Sequence, residues 1–348
     1  MTTAQPVRLR ASWLGAGVIA IAVAFVLGVG LGPVSLRLDR VALELLDHVP
    51  GIDVESGLTP TEAAIVWDIR LPRVVLGLLV GGLLAISGAA YQGVFRNPLA
   101  DPYLLGIAAG AGLGATIAFV SGAGDASGVF DAVPIAAFAG AFAAVVMTFA
   151  VGGSGRRGAS TVSLLLAGVA VASFFTALQT YVQSRNTDTI RQVFSWILGR
   201  LSTSGWDEVL LLLPYAAVST AVLLWSRRTL DVLAVGDDEA ATLGVNAKRV
   251  RLLVLVAASL AAAAAVSVSG LIGFVGLVVP HAVRLAFGTS NRVVVPLSFL
   301  FGAAFLALAD LGARTVEQPA ELPIGVVTAF FGAPFFLFIL RTRAVTFR

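Results

Sequence analysis

Cysteine is absent from the 348 residues, lysine occurs once, at Lys248, and histidine twice, at His48 and His281. The first absence excludes disulfides and thiolate metal sites. The second excludes a phosphate-binding loop of the GK[ST] type, because Lys248 sits in the sequence NAKRV; the chain does not hydrolyse ATP by that route. Two histidines argue against a histidine-built metal centre, and no cofactor or metal is expected. Charge is scarce as well. Only 12% of residues are charged and 58% are apolar, whereas a soluble domain carries about 25% charged residues. So few charges cannot cover the surface of a soluble chain of this size. The expected class is an all-α polytopic membrane protein. The basic balance does not point to nucleic acid, since no compact Lys/Arg patch follows a binding fold.

What is present is a series of long apolar runs. They fall near 13–32, 74–95, 103–121, 132–151, 161–183, 208–226, 252–268, 270–287, 293–313 and 322–340, which predicts about ten membrane helices in one domain, 1–348. Nine or eleven stay open, because several runs are short and the two between 252 and 287 are split only near Ser269 and Gly270. Arg8 and Arg10 precede the first run, which is too long for the apolar region of a signal peptide and lacks a clear cleavage site, so it reads as a retained first span. With the N-terminus inside, fifteen of the 23 basic residues and five of the 20 acidic ones fall on the inner side. That asymmetry predicts cytoplasmic termini in a cell membrane. The longest outer segment, 33–73, carries seven acids and is long enough for a short surface helix.

The stretch Arg70–Gly106 is the most informative. Arg73 and Asn97 are 24 residues apart, roughly 36 Å of helix against a hydrocarbon core of about 30 Å. Arg70 and Arg73, three apart, share one helical face at its outer end; Arg314 closes the ninth run. These arginines either snorkel and pair locally, Arg314 with Asp310 at i, i+4, or offer a docking surface to an acidic partner. At the other end Asn97, Pro98, Asp101 and Pro102 make a polar knot, read as a tight turn or as an inner gate. The loop 227–251 is longer than two spans need. Asp237 or Asp238 can cap a short helix there, Glu239 suits its first turn, Gly244 can stop it and Asn246 can cap the next helix. Helix–Gly–helix on the membrane surface would be either a plain connector or the receiver of force from a cytosolic motor. His281 and Arg284 lie on one face of the run 270–287, where a lone histidine reads as structural. No carboxylate pair or Ser/His/Asp set is placed for catalysis, so the chain is not expected to be an enzyme.

At these residues the sequence becomes recognisable. RLPR, SGAAYQGVFRNPLADPYLLG, LLLAGVA, WILGRL, VGDDEAATLGV, GLIGFVGLVVPHAVR, ALADLGAR and ELPIGVVTAFFGAPFF, in that order from about Trp67 to Leu340, resemble the FecCD family of ABC-importer permeases. These serve ferric siderophores, haem and cobalamin. The resemblance implies ten helices per subunit and a homodimer whose pathway is lined largely by the fifth helix. It also implies two cytosolic ATP-binding-cassette ATPases below and an extracytoplasmic substrate-binding protein above. Arg70, Arg73 and Arg314 match arginines that pair with glutamates of the binding protein. Asp237, Asp238, Glu239, Ala240, Leu243 and Gly244 match the coupling helices that insert into the ATPase. Asn97, Leu99 and Thr161 match inner-gate positions; Val162 stands where the cobalamin member has a serine, so the gate here is expected to be more apolar. Ferric siderophore is the commonest family cargo, with haem, cobalamin or another bulky cofactor behind it. Rival readings are an ATPase-independent secondary transporter and a membrane-embedded enzyme; near-absent mid-span charges count against the first, and the lack of a catalytic set against the second.

Overall fold

A computed structural model describes residues 9–49, 51, 53–122, 132–153, 161–202, 205–318 and 320–344. The chain begins with α1 (Ala11–Gly30), α2 (Leu38–Asp47) and α3 (Pro60–Ala64), the last opened by a reciprocal Thr59–Glu62 capping box. A π-turn, Ile65–Arg70, joins α3 to α4 (Leu71–Phe95) without a break. After a 3-10 turn, Pro102–Leu105, come α5 (Ile107–Val120), α6 (Ala132–Gly152), α7 (Thr161–Arg185) and α8 (Ile190–Ile197). The rest is α9 (Asp207–Val235), α10 (Asp237–Thr242), α11 (Ala247–Ser269), α12 (Val275–Phe287), α13 (Asn291–Thr315) and α14 (Ile324–Ala344).

Each of the ten apolar runs falls on a helix. Among the described residues seven helices are both long and apolar enough to cross a bilayer alone, while α5, α12 and the apolar part of α14 are shorter. Two runs begin later than their composition suggests. Asp101 caps the 3-10 turn by accepting from Tyr103 N, so α5 starts only at Ile107. Residues 270–274 are not helical: Gly270 ends α11 with φ 69°, and Phe274 opens α12 in the left-handed region. The acidic segment after the first span carries a surface helix, α2, as its length suggested.

Small residues decide which helices sit in the middle. Most of the apolar stretch of α4, α11 and α13 is buried, whereas α1, α6, α7 and α9 bury about a third of theirs. In lipid there is little hydrophobic gain between helices, so close van der Waals approach selects the partners. At Gly88 of α4 an added β-carbon would lie 1.8 Å from the carbonyl oxygen of Gly276 in α12. The two backbones touch there, and α4 therefore packs directly on α12, α13 and α11. Ser87 donates to Ala258 O at 2.7 Å, and Tyr91 bonds Ser259 Oγ at the same distance, which fixes α4 against α11. The outcome is a central rod, α4, with a differently built polar cluster at each end.

Candidate functional site: the two ends of the central helix

At the N-terminal end of α4 two arginines, Arg70 and Arg314, converge on the end of α1, and a third, Arg73, stands beside them. The last carbonyls of a helix have no intrahelical partner and carry the negative end of its dipole. Arg70 Nη1 donates to Val29 O at 2.9 Å and Gly30 O at 3.0 Å, and its Nη2 donates to Val34 O. Arg314 Nη2 donates to Gly28 O, and its Nε lies 3.5 Å from Asp310 Oδ2. Arg73 is forked between two acids. Its Nε and Nη2 donate to Asp310 at 2.9–3.2 Å, and Nη1 and Nη2 donate to Glu321 at 2.9 and 3.0 Å. Arg70 and Arg314 are each 3% exposed.

Of the two readings of these arginines, local pairing is what the side-chain contacts display. Arg70 and Arg314 are committed to carbonyls of α1, and the local Arg314–Asp310 pairing is present. Arg73 alone keeps part of its side chain open, beside the half-exposed Glu321. A buried cation must be paired, and the nearest unsatisfied acceptors here are the α1 carbonyls and Asp310. Spacing within α4 cannot reveal these partners, which lie 36 to 286 residues away in sequence.

At the C-terminal end, α4 stops at Arg96, which adopts φ 49° and ψ 34°. Left-handed backbone costs a residue with a β-carbon about 1–2 kcal/mol, and glycine is the usual occupant of such a stop. Asn97 then accepts from Leu99 N through its side chain at 3.0 Å, making a tight turn in which both residues are exposed. Thr161 opens α7, and its side chain lies outside the described residues.

Beside this turn lies the hairpin. Gly236, and not an aspartate, occupies the cap of α10, and Asp237 is its first helical residue. Asp237 is taken up by two arginines. Arg96 Nη2 lies 2.7 Å from Oδ1, while Arg251 reaches Oδ2 with Nη1 at 2.7 Å and Oδ1 with Nη2 at 2.5 Å. The Arg251 hydrogen bonds hold the Asp237 carboxyl below its ordinary value. Asp238 and Glu239 stay exposed, Ala240 is fully buried, and Leu243 points out with 69% of its surface open. Gly244 turns the chain with φ 75°, and Asn246 caps α11 by accepting from Arg249 N at 3.1 Å. The helix–Gly–helix reading and the Asn246 cap therefore hold. The Arg96–Asp237 pair and the tie from Asp231 of α9 to Ser290 Oγ and Asn291 N, both 2.6 Å, were not foreseen. A non-glycine at a helix stop was the one available sequence signal, and it shows only once the stop is located. Arg284 of α12 donates to Gln92 Oε1, one turn before Arg96, and Gln92 donates on to Gly276 O.

Between the two ends α7 presents a largely uncovered face. Val169, Ser173, Thr176, Thr180 and Ser184 line an open groove of about 850 Å³. Ser173 donates back to Val169 O at 2.9 Å, Thr180 to Thr176 O at 2.9 Å and Ser184 to Tyr181 O at 2.8 Å. These hydroxyls spend their protons within the helix, so the face is smooth and mildly polar.

A bundle of helices, seven of them long and apolar enough among the described residues to cross a bilayer, defines a multi-pass membrane protein. The model of the FecCD transport family matches residues 20–342, and the chain belongs to that family. It is 45% identical over 292 residues to the cobalamin import system permease of Halobacterium salinarum, covering 84% of this chain and 77% of that one. It is 39% identical over 338 residues to an uncharacterized ABC transporter permease of Bacillus subtilis, covering 96% and 95%. The iron(3+)-hydroxamate import permease of Bacillus subtilis is 35% identical over 327 residues, covering 94% of this chain and 82% of its own. A solved ABC transporter, described as of metal-chelate type and inward-facing, superposes with a TM-score of 0.82 at 28% identity, covering 96% of this chain and all of that one. In this family the chain is the transmembrane permease subunit and the ATPase is a separate protein.

Proposed function

We propose that this permease is the transmembrane half of an ATP-driven importer that moves a bulky iron chelate, a ferric siderophore first, from a binding protein to the cytoplasm. The hairpin end faces the cytoplasm with both termini, and the arginine end faces outward. Two copies pair with their α7 faces toward a common pathway. Three of the α7 hydroxyls, Ser173, Thr180 and Ser184, donate within the helix, so the pathway grips cargo weakly and selection falls to the binding protein. The observation that carries the reading is the exposed hairpin, with Leu243 and the acids Asp238 and Glu239 free on the bundle end. Such a projection fits a groove on a partner ATPase.

The deciding measurement is cargo uptake into proteoliposomes holding this permease and its ATPase. Uptake that needs ATP supports the importer; flux with the permease alone overturns it. Gly244→Pro should lower uptake per ATP while the protein still inserts. Proline holds φ near −65° where the chain needs +75°, and it removes the N–H that Gly244 donates to Ala241 O. Unchanged uptake per ATP would exclude the hairpin from coupling.

Docking of the binding protein rests on Arg73 and the exposed charges around it, with Arg70 and Arg314 shaping the surface from below. Reversing Arg70 and Arg73 together would disturb folding, so salt gives the cleaner test. Exposed pairs are worth about 0–1 kcal/mol each and are screened by salt. Binding-protein affinity should fall steadily as ionic strength rises; a salt-independent affinity rules out charge-guided docking. A second reading, cobalamin as cargo, is favoured by the Halobacterium salinarum relative at 45% identity. The ligand carried by the paired binding protein decides between the two.

A further inference from the structure

Arg96 is a residue whose backbone and side chain ask for different amino acids. Its left-handed backbone suits glycine, yet an arginine stands there and spends its guanidinium on Asp237. The same carboxylate holds Arg251 in the first turns of α11, so three elements meet on one group. On the α4 side the next residues form a closed unit. Asn97 N donates to Gln92 O at 3.2 Å, Ala100 N to Asn97 O at 3.1 Å, and Leu99 N to the Asn97 side chain. Displacing Arg96 therefore displaces Leu99. On the other side α10 is equally closed. Val245 N donates to Ala240 O at 2.9 Å across Gly244, and buried Ala240 seats α10 on α9 and α11.

We infer that Arg96, Asp237 and Arg251 form a strut that carries movement of the α10 hairpin to the Asn97–Leu99 turn, with Asp237 as its positioning residue. This rests on the importer reading given above. The acids of α10 then have separate roles. All three are exposed, but Asp237 is tied to α4 and α11 through Arg96 and Arg251, while Asp238 and Glu239 remain where a partner would sit. The pull on the turn is direct, because Arg96 is the residue immediately before Asn97. It also explains why glycine does not occupy the end of α4. A glycine would relax the backbone and lose the link. Packing of α9 and α11 offers the competing route from hairpin to bundle, and the experiment separates the two.

The chain has no cysteine, so Leu99→Cys supplies a single thiol at an exposed site. In lipid vesicles holding the permease with its ATPase, alkylation of that thiol by a membrane-impermeant maleimide is timed with and without ATP and vanadate. The Leu99→Cys protein should show a rate that changes on nucleotide trapping. Adding Arg96→Glu should abolish the change while ATP hydrolysis continues. Arg96→Gly should abolish it too, although glycine suits the backbone, and Arg96→Lys should restore it. A nucleotide-dependent change that survives both Arg96→Glu and Arg96→Gly overturns the strut and leaves helix packing as the route. If the unsubstituted permease with its ATPase and binding protein shows no ATP-dependent uptake, the importer reading falls and the strut with it; if uptake is ATP-dependent, an unaffected Leu99→Cys signal in the Arg96 variants removes the strut alone.

Discussion

Replacing Asp310 with alanine should destabilise the protein by about 3–5 kcal/mol, the cost of stranding a buried charge by removing its partner. Asp310 is 2% exposed and serves Arg73 and Arg314 together. Without it, Arg314 keeps only the Gly28 carbonyl and Arg73 only Glu321. Glu321 provides the control. It binds the same Arg73, but its side chain is 43% exposed, so Glu321→Ala should cost about 1 kcal/mol or less. Thermal unfolding of the detergent-solubilised protein, followed by tryptophan fluorescence, reads both variants. Equal shifts for Asp310→Ala and Glu321→Ala would show that burial does not govern this cluster. The same comparison bears on function, because the cluster ties α1, α4 and α13 together beneath the proposed docking surface.

The second large effect is expected at the α4–α12 contact. Gly88→Val places methyl groups where a β-carbon alone would already lie 1.8 Å from the Gly276 carbonyl oxygen. Backbone cannot swing aside as a flexible side chain does. Overpacking of a core ordinarily costs about 1–3 kcal/mol and more where nothing yields, so Gly88→Val should reach or exceed the top of that range. The readout is the fraction of protein recovered as a single species after detergent extraction. Gly15→Val, where an added β-carbon meets nothing within 4 Å, should be recovered normally. Normal recovery of Gly88→Val would mean that the two helices do not approach as closely as described. The consequence extends to the site, because α12 also holds Arg284 against Gln92, one turn from Arg96.

Local features were legible in the sequence. Ten apolar runs became ten helices because backbone in lipid must satisfy itself internally, and an apolar run of sufficient length has no other solution. Gly244 and Asn246 were readable because a left-handed stop and a side-chain cap depend on a few adjacent residues. The surface helix α2 was readable from length alone. The arginines were harder. Their spacing says nothing of what faces them. Asp310 and Glu321 lie 237 and 248 residues from Arg73, and the α1 carbonyls carry no side-chain signature at all.

The division follows from range. By itself the sequence determined that this is a multi-helix membrane protein of the FecCD transport family, with a helix–Gly–helix loop between α9 and α11. Those properties come from composition, local backbone preference and ordered motifs. Only the tertiary structure decided that Arg70 and Arg314 close the end of α1, that Asp310 is shared by two arginines, and that Asp237 pairs with Arg96 and Arg251. Each of these depends on which helices touch. In lipid that choice is made by the meeting of small residues such as Gly88 and Gly276, a property of paired surfaces that no single run of residues contains.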